Sequence, residues 1–217
     1  MKLSFADFPL DYFSGIANDI PKRLSLIREC GFTCIDFNVT ERLLGDDLEA
    51  NAENLRASLE SLGMMAPQAH APIVNPFDPQ RTDFMRVYER ALEFCRIAGI
   101  PQTVIHAGAV KGNTREEYFA KNAQFYRSLI SFAEKTGVVI LVENIGHPAD
   151  DNYLRTGADL VEMVERIDHP MFKICWDTGH GNLNRQDLYN TIITMGDRLT
   201  ALHVHDNCAV LRFPMTV

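Results

Sequence analysis

Short runs rich in β-branched and aromatic residues are followed, repeatedly along this chain, by longer stretches whose apolar positions recur every three or four residues. That alternation predicts strand–helix units around a parallel sheet. Seven strands are expected, at Leu3–Ala6, Cys34–Val39, Ala66–Ala71, Thr103–His106, Val138–Glu143, Lys173–Asp177 and Ala201–His205. The run VVILVE is near-continuously apolar, as a strand covered on both faces must be.

The helices between them carry start and stop signals. Asp19 ahead of Pro21 opens one that stops at Gly31, and Asp83 opens another with Phe84, Val87, Ala91, Cys95 and Ala98 on one face. Thr114 and Glu117 form a T-x-x-E capping box for a helix through Phe125, Leu129 and Phe132 to Gly137, a residue type suited to the left-handed position past a helix end. Further helices fit Ala50–Ser61, Ala158–Ile167 and Gln186–Met195. The longest irregular stretches, Ile73–Gln80 and Gly146–Thr156, each follow a strand, where α/β folds carry their chemistry. No linker or charge block divides residues 1–217, so a single domain is expected.

Composition narrows the function classes. With 46% hydrophobic and 23% charged residues the chain is globular, and no apolar run is long enough for a membrane span or a secretory signal, so a cytoplasmic location is expected. A net charge of −8 with scattered acids supplies no basic stripe, which counts against a nucleic-acid partner. The five cysteines (Cys30, Cys34, Cys95, Cys175, Cys208) include no CxxC pair and read as reduced, mostly buried thiols.

Ionisable residues recur at the strand ends: His70, His106, Glu143, Asp177 and His203, separated by 36, 37, 34 and 26 residues. Each interval is about one strand–helix unit, so successive strands deliver imidazoles and carboxylates to the same end of the sheet. Such groups are costly to desolvate singly, whereas a divalent cation pairs the carboxylates and accepts imidazole nitrogens. Mixed nitrogen and oxygen donors suit Mn, Zn, Co or Fe better than Ca, and the divalent ion expected is one of these four or Mg. His180, three residues after Asp177, brings another polar group over the site, and Asn144 and Asn182 are available to orient the ligands. Other readings stand beside these: hydrogen-bonded rim residues for His70 and His106, a buried ion pair for Glu143, a helix N-cap for Asp177. His147 and His169 precede prolines in loops and read as surface residues, His147 being close enough to Glu143 to touch a substrate, while Trp176 points away from Asp177 to pack against a helix.

The motifs H-A-P, V-I-H-A-G, V-E-N, W-D-T-G-H-G-N and L-H-V-H-D stand in the order and spacing of the xylose-isomerase-like TIM barrels. That family includes sugar phosphate isomerases and epimerases and, more distantly, the endonuclease IV type of DNA-repair enzyme. The chain resembles it from about Leu3 to Asp206. The resemblance implies a metal held by Glu143, Asp177 and His203, with His180 hydrogen-bonding substrate oxygens and Glu143 moving protons in the isomerisation of a small carbohydrate. In LHVHD the family's ligand is the first His, and alternation points His205 toward the same rim. In the endonuclease relatives the histidines matching His70, His106 and His180 also bind zinc, which leaves a zinc phosphodiesterase as the alternative.

The chain departs from the family after His205. Twelve residues remain, too few for a crossover helix and an eighth parallel strand, so a TIM-type (β/α) barrel of about seven strands, incomplete at the C-terminus, is expected. The strand that would bring a second Glu ligand is then lost, which favours isomerisation on one base over two-faced epimerisation. A truncated barrel that binds only metal or sugar is the third reading. Its two open sheet edges invite pairing between copies of the chain.

Overall fold

The computed structural model describes residues 3–7, 19–109, 111–146 and 152–207. Strands β1 (Phe5–Ala6), β2 (Cys34–Asn38), β3 (Met65–His70), β4 (Gln102–Val104), β5 (Val139–Glu143), β6 (Phe172–Asp177) and β7 (Leu199–His203) form one sheet in chain order. Every adjacent pair is parallel. The helices α1 (Ile20–Glu29), α2 (Leu48–Ser61), α3 (Phe84–Ala98), α4 (Arg115–Thr136), α5 (Gly157–Ile167), α6 (Thr178–Leu183) and α7 (Leu188–Met195) connect them, with short 3₁₀ turns at Glu41–Leu44 and Gly196–Arg198.

The sheet is strongly curled. Laid flat, β2 and β7 would stand five strand spacings apart, roughly 24 Å. Instead His203 Nε2 on β7 lies 2.9 Å from Asp36 Oδ2 on β2, across the concave face. This is the wall of a TIM-type barrel, and among the described residues it has seven strands and no pairing between β1 and β7.

Alternation divides the strand residues between two environments. Ile140, Val142, Ile174 and Trp176 join the main core beneath the helices, with Tyr88, Phe94, Tyr118, Phe119 and Tyr126. Val104, Leu141, Cys175 and Ala201, one from each of β4–β7, form a small separate apolar layer. Two residues further along the same strands come Glu143, Asp177 and His203, so the layer is the floor beneath the ionisable groups.

The helix ends follow their signals. Asp19 accepts from Lys22 N to cap α1, Thr114 and Glu117 make the full capping box of α4, and Gly137 ends α4 at φ 71°. A second capping box, Thr156 with Asp159, starts α5; a T-x-x-D pattern gives it in the sequence. Several expected boundaries shift. The first strand keeps only Phe5–Ala6, β4 stops two residues before His106, and β7 covers Leu199–His203, leaving His205 beyond its end. Helix α6 follows β6 directly, and the Asp177 carboxylate accepts from His180 N to cap it, as the N-cap reading of Asp177 expects. Of the cysteines, Cys34, Cys95 and Cys175 are buried as expected, but Cys30 is exposed because it ends α1 on the solvent side; Cys208 lies outside the described residues, as does His147.

Candidate metal centre

Loops that leave the sheet are pinned from behind by helix side chains. Tyr126 of α4 donates to Ile105 O, next to His106, and Asn122 brackets Gly108 by accepting from its N–H and donating to its carbonyl. Tyr88 of α3 donates to Val74 O in the loop after β3. These buried anchors hold the ends of β3 and β4 in place, so the imidazoles of His70 and His106 meet with Nε2 atoms 3.0 Å apart.

Glu143 is the hub. It is 2% exposed, and its Oε2 lies 3.6 Å from both His70 Nε2 and His106 Nε2. Its Oε1 accepts from His203 Nδ1 at 2.6 Å and lies 4.0 Å from His180 Nδ1. Asp177, 4% exposed, combines the N-cap role with a second set of contacts: both its oxygens lie within 2.9 Å of His205 Nε2, and Oδ2 is 3.7 Å from His180 Nδ1. Asn144 braces Asp177 through its backbone, accepting from Asp177 N at 2.7 Å and donating to Asp177 O at 2.9 Å. Its own carbonyl accepts from His180 Nδ1, which fixes the proton on that nitrogen and leaves Nε2 free to accept. Asn182 instead donates to Asn207, through its backbone carbonyl and its side-chain oxygen. His169 pairs with Glu134 away from the site, and Trp176 packs under α6, where a Cβ on Gly181 would meet its ring.

Glycines make room for the rings. A Cβ on Gly179 would stand 2.0 Å from His205 Cε1, and one on Gly146 would stand 2.4 Å from His180 Cδ2. The D-T-G-H turn therefore needs its glycine for close approach of an imidazole.

Two residues that the sequence reading passed over complete the centre. Asp36 and Gln68 face the interior from β2 and β3, Gln68 donating to Asp36 Oδ2 at 2.7 Å while the same oxygen pairs with His203 Nε2. Their signal is the alternation in CIDFN and MAPQAH, which puts a polar residue on the inner face of an otherwise buried strand.

The electrostatics follow from this packing. Burial opposes charge on His203, but the neighbouring Asp36 carboxylate, Cys175 and the hydrogen bond to Glu143 win and hold its pKa well above the usual imidazole value. Burial likewise opposes ionisation of Glu143, and its bonds from His203 and His70 win, keeping it a carboxylate. For His70 desolvation is outweighed by Glu143, raising the pKa, whereas burial and the neighbouring His70 push His106 down to about 4. With nitrogens 3.0 Å apart the pair shares one proton, since two charged rings would repel.

Among the described residues, every ion-pair partner of Glu143, Asp177 and Asp36 is a histidine. Three groups have ligand atoms within 4.8 Å of one another: His70, His106 and Glu143; Glu143, Asp177 and His203; Asp177, His180 and His205. Buried carboxylates, imidazoles and no lysine or arginine make a donor set that fits a divalent cation.

Comparison with known proteins agrees with this architecture. The protein y4fM of Sinorhizobium fredii, itself uncharacterised, is 26% identical over 214 residues, spanning 85% of this chain and 68% of that protein. A probable endonuclease 4 of Mesomycoplasma hyopneumoniae is 31% identical over 113 residues, 51% of this chain and 40% of the relative. Among solved structures, the E. coli 3-keto-D-glucoside 4-epimerase YcjR superposes with TM-score 0.79 at 21% identity, covering 95% of this chain and 80% of that one. A D-psicose 3-epimerase determined in the presence of D-fructose gives TM-score 0.73 at 20% identity, over 94% and 72% of the two chains. The IOLI protein with a bound zinc atom gives 0.67 at 18% identity, over 87% and 67%. Residues 24–212 match the model of the xylose isomerase-like TIM barrel, and the chain belongs to that family.

Proposed function

We propose that the chain is a divalent-metal-dependent isomerase or epimerase of a small sugar, sugar phosphate or related hydroxy-carbonyl compound, with Glu143, Asp177 and His203 as the metal ligands. The observation that carries this reading is the convergence of two buried carboxylates whose ion-pair partners, among the described residues, are all imidazoles. Its neighbours among solved structures, sugar epimerases and a zinc-bound protein, support it. When bound, the ion polarises the substrate carbonyl as a Lewis acid.

The chain's own groups do the rest. Glu143 stays ionised at neutral pH and is the base that takes the proton from the carbon beside the carbonyl. His180, with its Nδ1 proton committed to Asn144 O, offers Nε2 to a substrate hydroxyl. The apolar layer of Val104, Leu141, Cys175 and Ala201 closes the floor against water. Incubation with a panel of aldoses, ketoses and their phosphates in D₂O tests the reading: deuterium enters beside the carbonyl with wild type and not with Glu143→Gln. Exchange that survives in the variant, or none with wild type, refutes it.

A second reading rests on the His70–His106–Glu143 group. Glu143 can offer one oxygen to each of two sets, which is the arrangement of a binuclear hydrolytic centre. Two or three zinc ions per protomer, together with incision of abasic-site DNA, would establish the phosphodiesterase in place of the isomerase.

A further inference from the structure

We propose that Asn144 is a positioning residue for the metal centre: its side-chain amide sets the spacing between Glu143 and Asp177, the two carboxylates assigned to the ion. The inference rests on the metal reading above and adds the residue that holds its two acids in register. Strand β5 ends at Glu143, whose partner on β6 is Cys175, so the position opposite Asp177 falls to Ile145, which has left the sheet. There the main chain turns aside, Ile145 N donating to Leu154 O at 2.8 Å and Ile145 O accepting from Asn184 Nδ2 at 3.0 Å. The buried N–H and carbonyl of Asp177 therefore need partners that the ladder does not supply. Asn144 supplies both: Oδ1 accepts from Asp177 N at 2.7 Å and Nδ2 donates to Asp177 O at 2.9 Å. A side-chain amide stands where the next peptide unit of the strand would have been.

The consequence falls on the ligands. Asn144 follows Glu143 directly, so the residue that bonds the Asp177 backbone also fixes the peptide that carries Glu143. Its carbonyl accepts from His180 Nδ1 at 2.8 Å, and His180 N donates to Asp177 Oδ1 at 2.7 Å, which closes a circuit through α6 back to the carboxylate. Asp177 is thus held at its main chain by Asn144 and at its side chain by the start of α6. An asparagine that only filled the interior, 0% exposed as this one is, could spend its donor and its acceptor on separate neighbours. Here both go to one residue, and that residue is a ligand. Asn182, an amide on α6 that donates to Asn207 instead, provides the control.

The test is cobalt titration of the metal-free chain, followed by visible absorption, whose band position and intensity report the coordination geometry. Asn144→Ala raises the Co²⁺ Kd about 10- to 100-fold and shifts the band of the saturated protein, while Asn182→Ala leaves both at their wild-type values. A merely structural role lowers the melting temperature of the metal-free chain without moving the band. Thermal unfolding of the metal-free variants shows whether they fold, and Asn144→Gln, which carries the same amide one methylene further out, makes the comparison if Asn144→Ala does not. An unchanged Kd or an unchanged band in the folded variant, or an equal loss in Asn182→Ala, overturns the inference and leaves the metal reading standing. Loss of cooperative unfolding in both Asn144 variants makes the residue a folding determinant and overturns it as well. A wild-type chain that takes up no metal removes the inference and the metal reading together.

Discussion

Replacing His106 by Gln probes the shared proton directly. The His106 pKa falls from 6.5 to about 4 in the folded chain. Between those values the unfolded imidazole binds a proton that the folded one refuses, so stability falls as pH drops through this window. The difference of 2.5 units, at 1.36 kcal/mol each, sets a ceiling of about 3 kcal/mol on that loss. His70, whose pKa is raised, acts in the opposite sense: its contribution is fully present below the unfolded value near 6.5 and is lost as pH rises through its folded pKa. Removing His106 deletes the first effect and leaves the second. Urea unfolding of the metal-free chain at pH 7 and pH 4.5, followed by the fluorescence of the single, buried Trp176 and by circular dichroism, measures it. The destabilisation caused by His106→Gln at pH 7 should shrink by about 1–3 kcal/mol at pH 4.5. A cost that is the same at both pH values would refute the one-proton account of the pair.

Three further outcomes are expected. Excess Zn²⁺ or Mn²⁺ at 100 times Kd should stabilise the wild type by about 2.7 kcal/mol, a gain abolished by EDTA and absent from a Glu143→Ala/Asp177→Ala variant; equal melting shifts in both proteins would sink the ligand set. Metal binding at pH 7 should release at least about one proton, because His203 is held charged in the metal-free chain and must lose a proton to ligate; calorimetry in buffers of different ionisation enthalpy would then give different heats, and identical heats would contradict it. Gly179→Ala should push the half-exposed His205 ring off Asp177 at a stability change below about 1 kcal/mol, because the clash is with a movable side chain, and a loss above about 2 kcal/mol would show the ring to be fixed.

Most of the fold was legible because the two periodicities are clean. The seven strands and the capping box of α4 follow from short-range chemistry, and the strand-end spacing brought His70, His106, Glu143, Asp177 and His203 to one place. What escaped was long-range. Helix α6 depends on a side chain folding back on its own turn, and the sequence offered that same Asp177 as ligand or cap without saying that one carboxylate both caps the helix and faces the imidazoles. Asp36 and Gln68 escaped because their significance comes from a residue more than 130 positions away, brought near only by the curl of the sheet. The ends of β4 and β7 were misjudged by two residues because His106 and His205 continue the alternation after the ladder has stopped.

Glu143 ties the alternative readings together. Its two oxygens face different donors: Oε1 belongs with His203 and Oε2 with His70 and His106. If a single ion sits with Glu143, Asp177 and His203, the His70–His106 pair is left with one mobile proton at the edge of the site, suited to hydrogen-bonding a substrate hydroxyl and returning the proton. If a second ion is taken up, that proton must leave, because both Nε2 atoms become ligands and each needs its lone pair. The two cases therefore differ in proton count as well as metal count. A second binding step that releases a proton in wild type and disappears in His106→Gln would identify the binuclear centre. One step, unaffected by that variant, would leave the imidazole pair to the substrate and the isomerase reading in place.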